Sequence, residues 1–383
     1  MSSVTSKSRS YLVFSFDYPP NDGGISRLCA EIARGLRLVN SVRVLTQQQH
    51  KHGSDVPCVS EIRVQGKRPW RELIAWWHLI RQRRGELVIA GIWYPEGLLS
   101  LLAGRRVVIL ALGAELMPTR QAWRRKPWAW LRRSVLSRAE LVLPISTYTE
   151  RLVRSSAPAS RVRTILLAVD HNWFSPGDRA AARSRFTVND LNQRVLCSVS
   201  RLHSYKGHST VFRALARLQP DVRHQFVYLI AGRGPDRDAL QQEATELGVN
   251  DLVRWLGYVA EDDLPDLYRA SDLFVLCTQE SERSQQVEGF GLVFLEAQAC
   301  GTPVVGTRTG GIPDAVHDGD GGWLIDADDS SALADILQEL ASSPETFRVA
   351  GAAGRSRVER SCTWDHYLDQ FALALTNEGL LHG

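Results

Sequence analysis

Short apolar runs alternate along this chain with amphipathic stretches, and most runs close on glycine or a polar cluster. The runs at 11–16, 42–46, 59–64, 87–91, 106–112, 141–145 and 162–166 predict strands, and the stretches at 25–39 and 70–80 predict helices. The polar stretch 172–178 has the look of a linker. Strands then resume at 195–199, 226–231, 253–256, 273–277 and 303–305, with 321–325 as a turn and edge strand. Helices are expected at 264–268 and 291–299, from Asp314 to near Gly319, from Ala332, from Glu345, and over 364–375. This alternation predicts an α/β protein with parallel sheets. A length of 383 residues suits two domains, placed here at 1–180 and 181–363, with 364–383 packing back towards the first. Two Rossmann-like domains with their loops at strand ends imply a central cleft. No period of 20–50 residues recurs along the chain.

Charge divides the chain along the same line. Residues 1–180 hold 28 Lys/Arg and 13 Asp/Glu, and the remainder holds 18 and 29. A basic half suggests an anionic partner. Its charge is concentrated in 67–84 and 119–138, where basic residues mix with Trp70, Trp76, Trp77, Trp123, Trp128 and Trp130. That mixture suits an anionic membrane surface, and equally a solvated face with its tryptophans turned to the core. No nucleic-acid motif accompanies it, so no nucleic-acid partner is expected. The six cysteines are scattered without a CxxC pair and read as small core residues of a reducing compartment. The apolar run after Lys7 and Arg9 is broken by Asp17 and reads as a first strand, not a signal peptide. No stretch reaches the roughly 18 apolar residues that span a bilayer.

The chemistry gathers in 288–311, EGFGLVFLEAQACGTPVVGTRTGG, read as loop, helix, strand and glycine turn. Glu296 lies inside an apolar helix, where an ionised carboxylate needs a partner or an open cleft. Glu288 lies just before the helix, whose first N–H groups, at Phe290, Gly291 and Leu292, make a ready anion site. Phosphate at the helix start and hydroxyls on the two acids would fit one ligand. Arg201 and Lys206, five apart at a strand exit, form a clamp suited to a diphosphate. His203 and His208 read as bystanders, since no spaced acid–histidine set surrounds them. The Gly23-Gly24 turn after the first strand allows close approach to a phosphate or sugar, and Glu115 stands at another strand's carboxyl end.

With these residues in order, nearly the whole chain resembles the retaining GT-B glycosyltransferases of family 4. The resemblance rests on E-x7-E at Glu288 and Glu296, on Gly310-Gly311-Ile312-Pro313-Asp314, on SRLHSYKG with Arg201 and Lys206, on AGRGP at 231–235, and on the Gly23-Gly24 loop. The VFLEAQACGTPVV wording is similar to the bacterial lipid-linked mannosyltransferases of that family. The resemblance implies a nucleotide diphosphate sugar (GDP- or UDP-linked) as donor, a hexose as the transferred group, and a lipid-linked or polysaccharide acceptor of cell-envelope synthesis. It implies Arg201 and Lys206 on the diphosphate, Glu288 on the sugar hydroxyls, and the N–H groups of Phe290, Gly291 and Leu292 on sugar or phosphate. Glu296 would take the ribose, the base would rest near Gly232, Tyr258 and Val259, and Gly23 and Gly24 would approach the phosphates. It further implies retention at the anomeric carbon, no metal and no other cofactor, and a cytoplasmic enzyme peripheral on the inner face of the membrane.

One position departs from the pattern. Relatives often carry a histidine where this chain has Leu112, in Leu112-Gly113-Ala114-Glu115. Glu115 or Arg120 would then take over its role, or the donor is seated differently. The alternative this raises is a non-catalytic sugar-nucleotide-binding or membrane scaffold protein; a phosphorylase-like enzyme is a further option.

Overall fold

The computed structural model describes the chain except residues 1–9, 22, 39, 48–59, 82–84, 119–120, 189, 191, 281–286 and 382–383. Lys7, Arg9, Cys58, Val59, Arg83, Arg84, Thr119, Arg120 and most of the polar loop before Glu288 therefore lie outside the described residues. Two compact units emerge: Met1–Leu166 with Tyr367–Gly383, and Leu167–His366.

The first unit contains β1 (Ser10–Phe14), β2 (Ser41–Gln47), β3 (Ser60–Val64), β4 (Leu87–Ala90), β5 (Arg106–Ala111) and β6 (Leu141–Pro144). They pair in the order β3-β2-β1-β4-β5-β6, every pairing parallel. The second contains β7 (Arg194–Val199), β8 (Phe226–Ala231), β9 (Val253–Gly257), β10 (Leu273–Leu276), β11 (Val304–Thr307) and β12 (Gly322–Ile325). Their order, β12-β11-β10-β7-β8-β9, repeats the first when each sheet is counted from its own first strand. Helices cover both faces of such sheets, so the strands are near-continuous apolar runs. Every position of β4, β6, β8, β10 and β11 is buried.

Counting along each sheet, the connections leave the first strand towards one edge and the fourth towards the other. That places a topological switch point between β1 and β4, and another between β7 and β10, at the carboxyl ends where open α/β sheets bind ligands.

Three expectations are corrected. Residues 162–166 form no strand: the segment makes a single bridge, Val162 to Val142. It bonds along β6 through Val142 N–H to Arg161 O (2.8 Å) and Arg163 N–H to Val142 O (3.1 Å). The next donor would be residue 144, a proline without an N–H, so that rung is missing and only Ile165 N–H to Pro144 O (3.0 Å) follows it. The boundary expected at 180 moves to 166–167. Val169 bridges Thr363, Arg355 donates to the carbonyls of His171 (2.8 Å) and Phe174 (3.0 Å), and Arg269 Nε donates to Ser175 O (2.7 Å), so the supposed linker is held within the second unit. The short helix expected from Asp314 spans Ile312–Ala315, with Pro313 in its first turn, where the missing N–H costs nothing.

The last helix, Trp364–Asn377, begins where expected. Beyond it, Leu380 O accepts from the Tyr11 hydroxyl at 3.0 Å, and Leu368 fills the space over Gly35, where a Cβ would stand 2.5 Å from Leu368 Cδ2. Among the described residues no helix is long and apolar enough to cross a membrane.

Candidate functional site

At the carboxyl edge of the second sheet, the chain leaves β7 through Arg201 and reaches Lys206 in a short turn, Ser204–Lys206. Gly207 then adopts φ 75°, and a Cβ there would stand 1.8 Å from Cys277 O. Only glycine lets the turn pack this tightly on the end of β10. Gln279 N–H donates to Tyr205 O at 2.7 Å and ties the same turn to the chain leaving β10. The consequence is a direct meeting of two sequence-distant charges: Lys206 Nζ lies 2.6 Å from Glu288 Oε2. The lysine side chain is 12% exposed and the glutamate 21%. Burial disfavours the lysine's charge, but Glu288 and Tyr205 outweigh that and hold its pKa above the ordinary lysine value.

Glu288 is set by the glycine turn after β11. Gly311 N–H donates to Glu288 O at 2.9 Å, and a Cβ on Gly311 would stand 2.0 Å from Gly289 O. Gly310 N–H donates to Glu280 Oε1 at 3.1 Å. The helix that follows spans Leu292–Ala299, one residue later than expected, because Gly291 is its N-cap in a left-handed conformation (φ 94°). The Phe290 ring is buried. The first turn of the helix starts directly beyond Glu288 and supplies N–H groups without intrahelical partners.

Glu296 is buried on this helix, and the Tyr268 hydroxyl donates to its Oε2 at 2.7 Å. The partner that an acid in an apolar helix requires is thus a tyrosine from Leu264–Ala270. Sequence reasoning missed Tyr268, which sits among apolar positions of a short helix and carries no motif.

It also set aside His208. The ring is buried, with Nδ1 2.9 Å from Tyr228 OH and Nε2 3.1 Å from Ser200 Oγ. Tyr228 OH lies 2.6 Å from Ser198 Oγ, which donates to Val275 O. Burial and the charge of Lys206 push the imidazole down to about 4, so it is neutral and serves as a strut between β8 and the residue before Arg201. The available signal was Ser198 and Ser200, two hydroxyls two residues apart at the end of an otherwise apolar strand.

Arg201 is exposed, and Gly232 (φ 141°) lies under the same loop, where a Cβ would stand 1.8 Å from Ser200 O. Tyr258 is 60% exposed with Arg233 5.9 Å from its ring centroid, and Val259 follows it. The second unit therefore brings Arg201, Lys206, Gly232, Tyr258, Val259, Glu288, Phe290, Gly291, Leu292 and Glu296 to the carboxyl edge of one sheet and its adjoining helix.

The first unit holds the remainder. Gly23 (φ 141°) caps the helix Gly24–Arg37 after β1, and nothing within 4 Å would meet a Cβ on Gly23 or Gly24. Leu112 follows β5, and its N–H donates to Glu115 Oε1 at 2.7 Å. Burial raises the Glu115 pKa against the opposing N–H groups of its own turn and the charge of Arg132. Glu115 is thus folded back onto the loop that bears Leu112. Among the described residues no group of three or more His, Cys, Asp or Glu is arranged to hold a metal. Cys29, Cys197, Cys277 and Cys300 are buried, and burial pushes each thiol up to about 12.

The family described as "Glycosyl transferases group 1" matches residues 182–357. A GDP-mannose-dependent alpha-(1-6)-phosphatidylinositol monomannoside mannosyltransferase of Mycolicibacterium smegmatis is 32% identical over 293 residues, 73% of this chain and 74% of that protein. A D-inositol 3-phosphate glycosyltransferase of Saccharomonospora viridis is 37% identical over 248 residues, and the chain spans about half of it, 56%. Solved structures share the fold at low identity. Anabaena HepE in complex with UDP has a TM-score of 0.78 and 21% identity, covering 96% of this chain and 100% of that one. A sucrose-phosphate synthase from Thermosynechococcus elongatus has a TM-score of 0.79 and 21% identity, covering 96% and 98%.

Proposed function

The chain belongs to the group 1 glycosyl transferases, and from that premise we propose that it moves a hexose from a GDP- or UDP-linked sugar to a lipid-linked or glycan acceptor, with retention at the anomeric carbon. The observation that carries this reading is the Lys206–Glu288 pair, 2.6 Å apart at the start of the Leu292–Ala299 helix. A diphosphate sugar would take Lys206 and Arg201 on its phosphates and Glu288 on its sugar hydroxyls. Glu296 would receive the ribose, and Tyr258 and Val259 would flank the base. The second unit is then the donor unit and the first the acceptor unit, with Gly23 and Gly24 contributing open backbone. The protein's main contribution is charge stabilisation of the departing diphosphate by cations already in place. The leaving phosphate accepts the acceptor's proton on the same face, so the reading assigns no step to a resident metal. Turnover of a GDP- or UDP-sugar that survives chelation and vanishes on Lys206→Ala supports the proposal; a folded sample with no melting shift for any nucleotide sugar counts against it.

The reading includes a membrane surface. The helix Trp70–Arg81 exposes Trp70, Leu73, Ile74, Trp77 and Ile80, positions that recur on one face at helical spacing. Arg81 lies 4.1 Å over the Trp77 ring, and Arg68 stands exposed before the helix. Trp123 (73% exposed) and Trp130 (70%) stand in or beside a second basic helix, Arg125–Arg138, while Trp128 packs against Trp93 and Tyr94. Exposed tryptophan and aliphatic groups ringed by arginine match an anionic lipid interface. Co-sedimentation with anionic but not neutral vesicles is the test.

Leu112 favours a second reading, a non-catalytic sugar-nucleotide binder, because its side chain cannot polarise an oxygen. Nucleotide-sugar binding without turnover across a panel of lipid and glycan acceptors would select it.

A further inference from the structure

Two residues that both contact Phe16, near the switch point between β1 and β4, each keep a buried polar atom without a hydrogen-bond partner among the described residues. Glu96 follows β4 and is 2% exposed. Phe16 N–H, just beyond β1, donates to its Oε1 at 3.1 Å. Its Oε2 is buried without a hydrogen-bond partner among the described residues. Arg71 approaches the same Phe16 from the helix Trp70–Arg81, its guanidinium 3.9 Å from the ring centroid. It donates from Nη1 to Gln47 Oε1 (2.5 Å) and from Nη2 to Glu72 Oε1 (3.0 Å), while its Nε is buried and unpartnered. Glu96 feels the charge of Arg71, yet no hydrogen bond or ion pair joins them among the described residues.

A buried acceptor and a buried donor left open cost about 1–3 kcal/mol each, and native folds pair such groups unless something else fills them. Here they stay open at the sheet edge where parallel α/β folds take ligands. A hydroxyl suits such a pair, because it can accept from a guanidinium N–H and donate to a carboxylate oxygen. A phosphate fits poorly beside two carboxylates, Glu72 bonded to Arg71 and Glu96 within reach of its charge.

We propose that Glu96, with Arg71 opposite it across Phe16, is a specificity-determining residue that binds a hydroxyl of a neutral polyol. It rests on the glycosyl-transfer reading only in naming that polyol as the sugar or cyclitol head of the acceptor. The opposing account is that Glu96 merely anchors the Phe16 backbone. Glu96 Oε1 holds the Phe16 N–H in either account, so the two differ in polyol binding rather than in stability.

The test uses the full chain, myo-inositol and methyl α-mannopyranoside as probes, and inorganic phosphate as the anionic control, with binding read by saturation-transfer NMR and calorimetry. The expected result is polyol binding that weakens at least about ten-fold in Glu96→Leu and in Arg71→Met, the loss typical of a hydrogen bond to a charged group. Glu96→Gln, which keeps an acceptor for the Phe16 N–H, keeps most of the binding, and phosphate does not compete. Equal polyol binding by the natural chain and Glu96→Leu overturns the proposal. So does no polyol binding by the natural chain, and so does undiminished polyol binding by Arg71→Met, which leaves the Phe16 N–H on Glu96. The melting shift with GDP and UDP is measured alongside. Its absence from the natural chain would sink the donor reading, while a Glu96-dependent polyol signal would stand on its own.

Discussion

The two units share one strand order and differ in what their carboxyl edges carry. In the second, the ionisable groups beside the helix start are closed on partners in advance, Lys206 on Glu288, Tyr268 on Glu296, and His208 between Tyr228 and Ser200, and among the described residues the open buried atom there is a hydroxyl, Thr278 Oγ1. In the first, Glu96 and Arg71 keep open atoms, Glu115 is turned onto its own loop, and tryptophans stand in solvent. The second edge is pre-organised, as suits a ligand with fixed parts such as diphosphate and ribose. In the proposed reading, the first is completed by an acceptor and the surface on which it is presented.

The largest expected effect comes from breaking the closed edge. Lys206→Ala should lower transfer by roughly 10²–10³-fold, the scale of removing a charge-stabilising group, with the nucleotide melting shift lost as well. A loss confined to nucleotide affinity, with turnover at saturation unchanged, would make Lys206 a binding group only.

The pH response of the two units should diverge next. Burial pushes Glu96 up to about 7 from an ordinary 4.5, so the folded state binds the extra proton between those values. Relative to Glu96→Gln, the acid therefore costs nothing below pH 4.5 and progressively destabilises the first unit as pH rises to 7, by about 3 kcal/mol in full. His208 is depressed to about 4 from 6.5, so its unfolded state binds the proton first. Its contribution is present above pH 6.5 and is lost as pH falls towards 4, again by about 3 kcal/mol in full. Denaturant melts of Glu96→Gln and His208→Gln across pH 4.5–7 should change slope in opposite senses; slopes of the same sign would erase the contrast.

Tyr268→Phe sharpens the comparison from inside the second edge. It strips the hydroxyl from buried Glu296 and should destabilise by about 1–3 kcal/mol in thermal melts. The smallest effect on folding belongs to the open surface. Trp70→Ser with Trp77→Ser should change stability by less than about 0.5 kcal/mol, as at ordinary surface positions. The same change should cut binding to anionic vesicles by about ten-fold or more, given the roughly 1.5–3 kcal/mol that burying one large apolar side chain supplies. Unchanged vesicle binding would remove the membrane from the picture.

The sequence by itself determined the α/β alternation, because apolar runs of strand length bounded by glycine are a local signal, and it determined two such units, because the alternation restarts after a polar stretch. It singled out Glu288, Glu296, Arg201 and Lys206, because charged residues among apolar runs and glycine turns are costly and need a reason. Where a partner came from elsewhere in the chain, the sequence was silent. Tyr268 on Glu296 is 28 residues away, Lys206 on Glu288 is 82, and Phe16 on Glu96 is 80. Such contacts depend on which strand ends the parallel crossovers bring together. The strand expected at 162–166 failed for the same kind of reason, since Pro144 on the neighbouring strand lacks the N–H the ladder needed. Only tertiary structure decided which polar atoms were closed and which stayed open, because hydrogen-bond satisfaction belongs to a pair of groups and a sequence shows one group at a time.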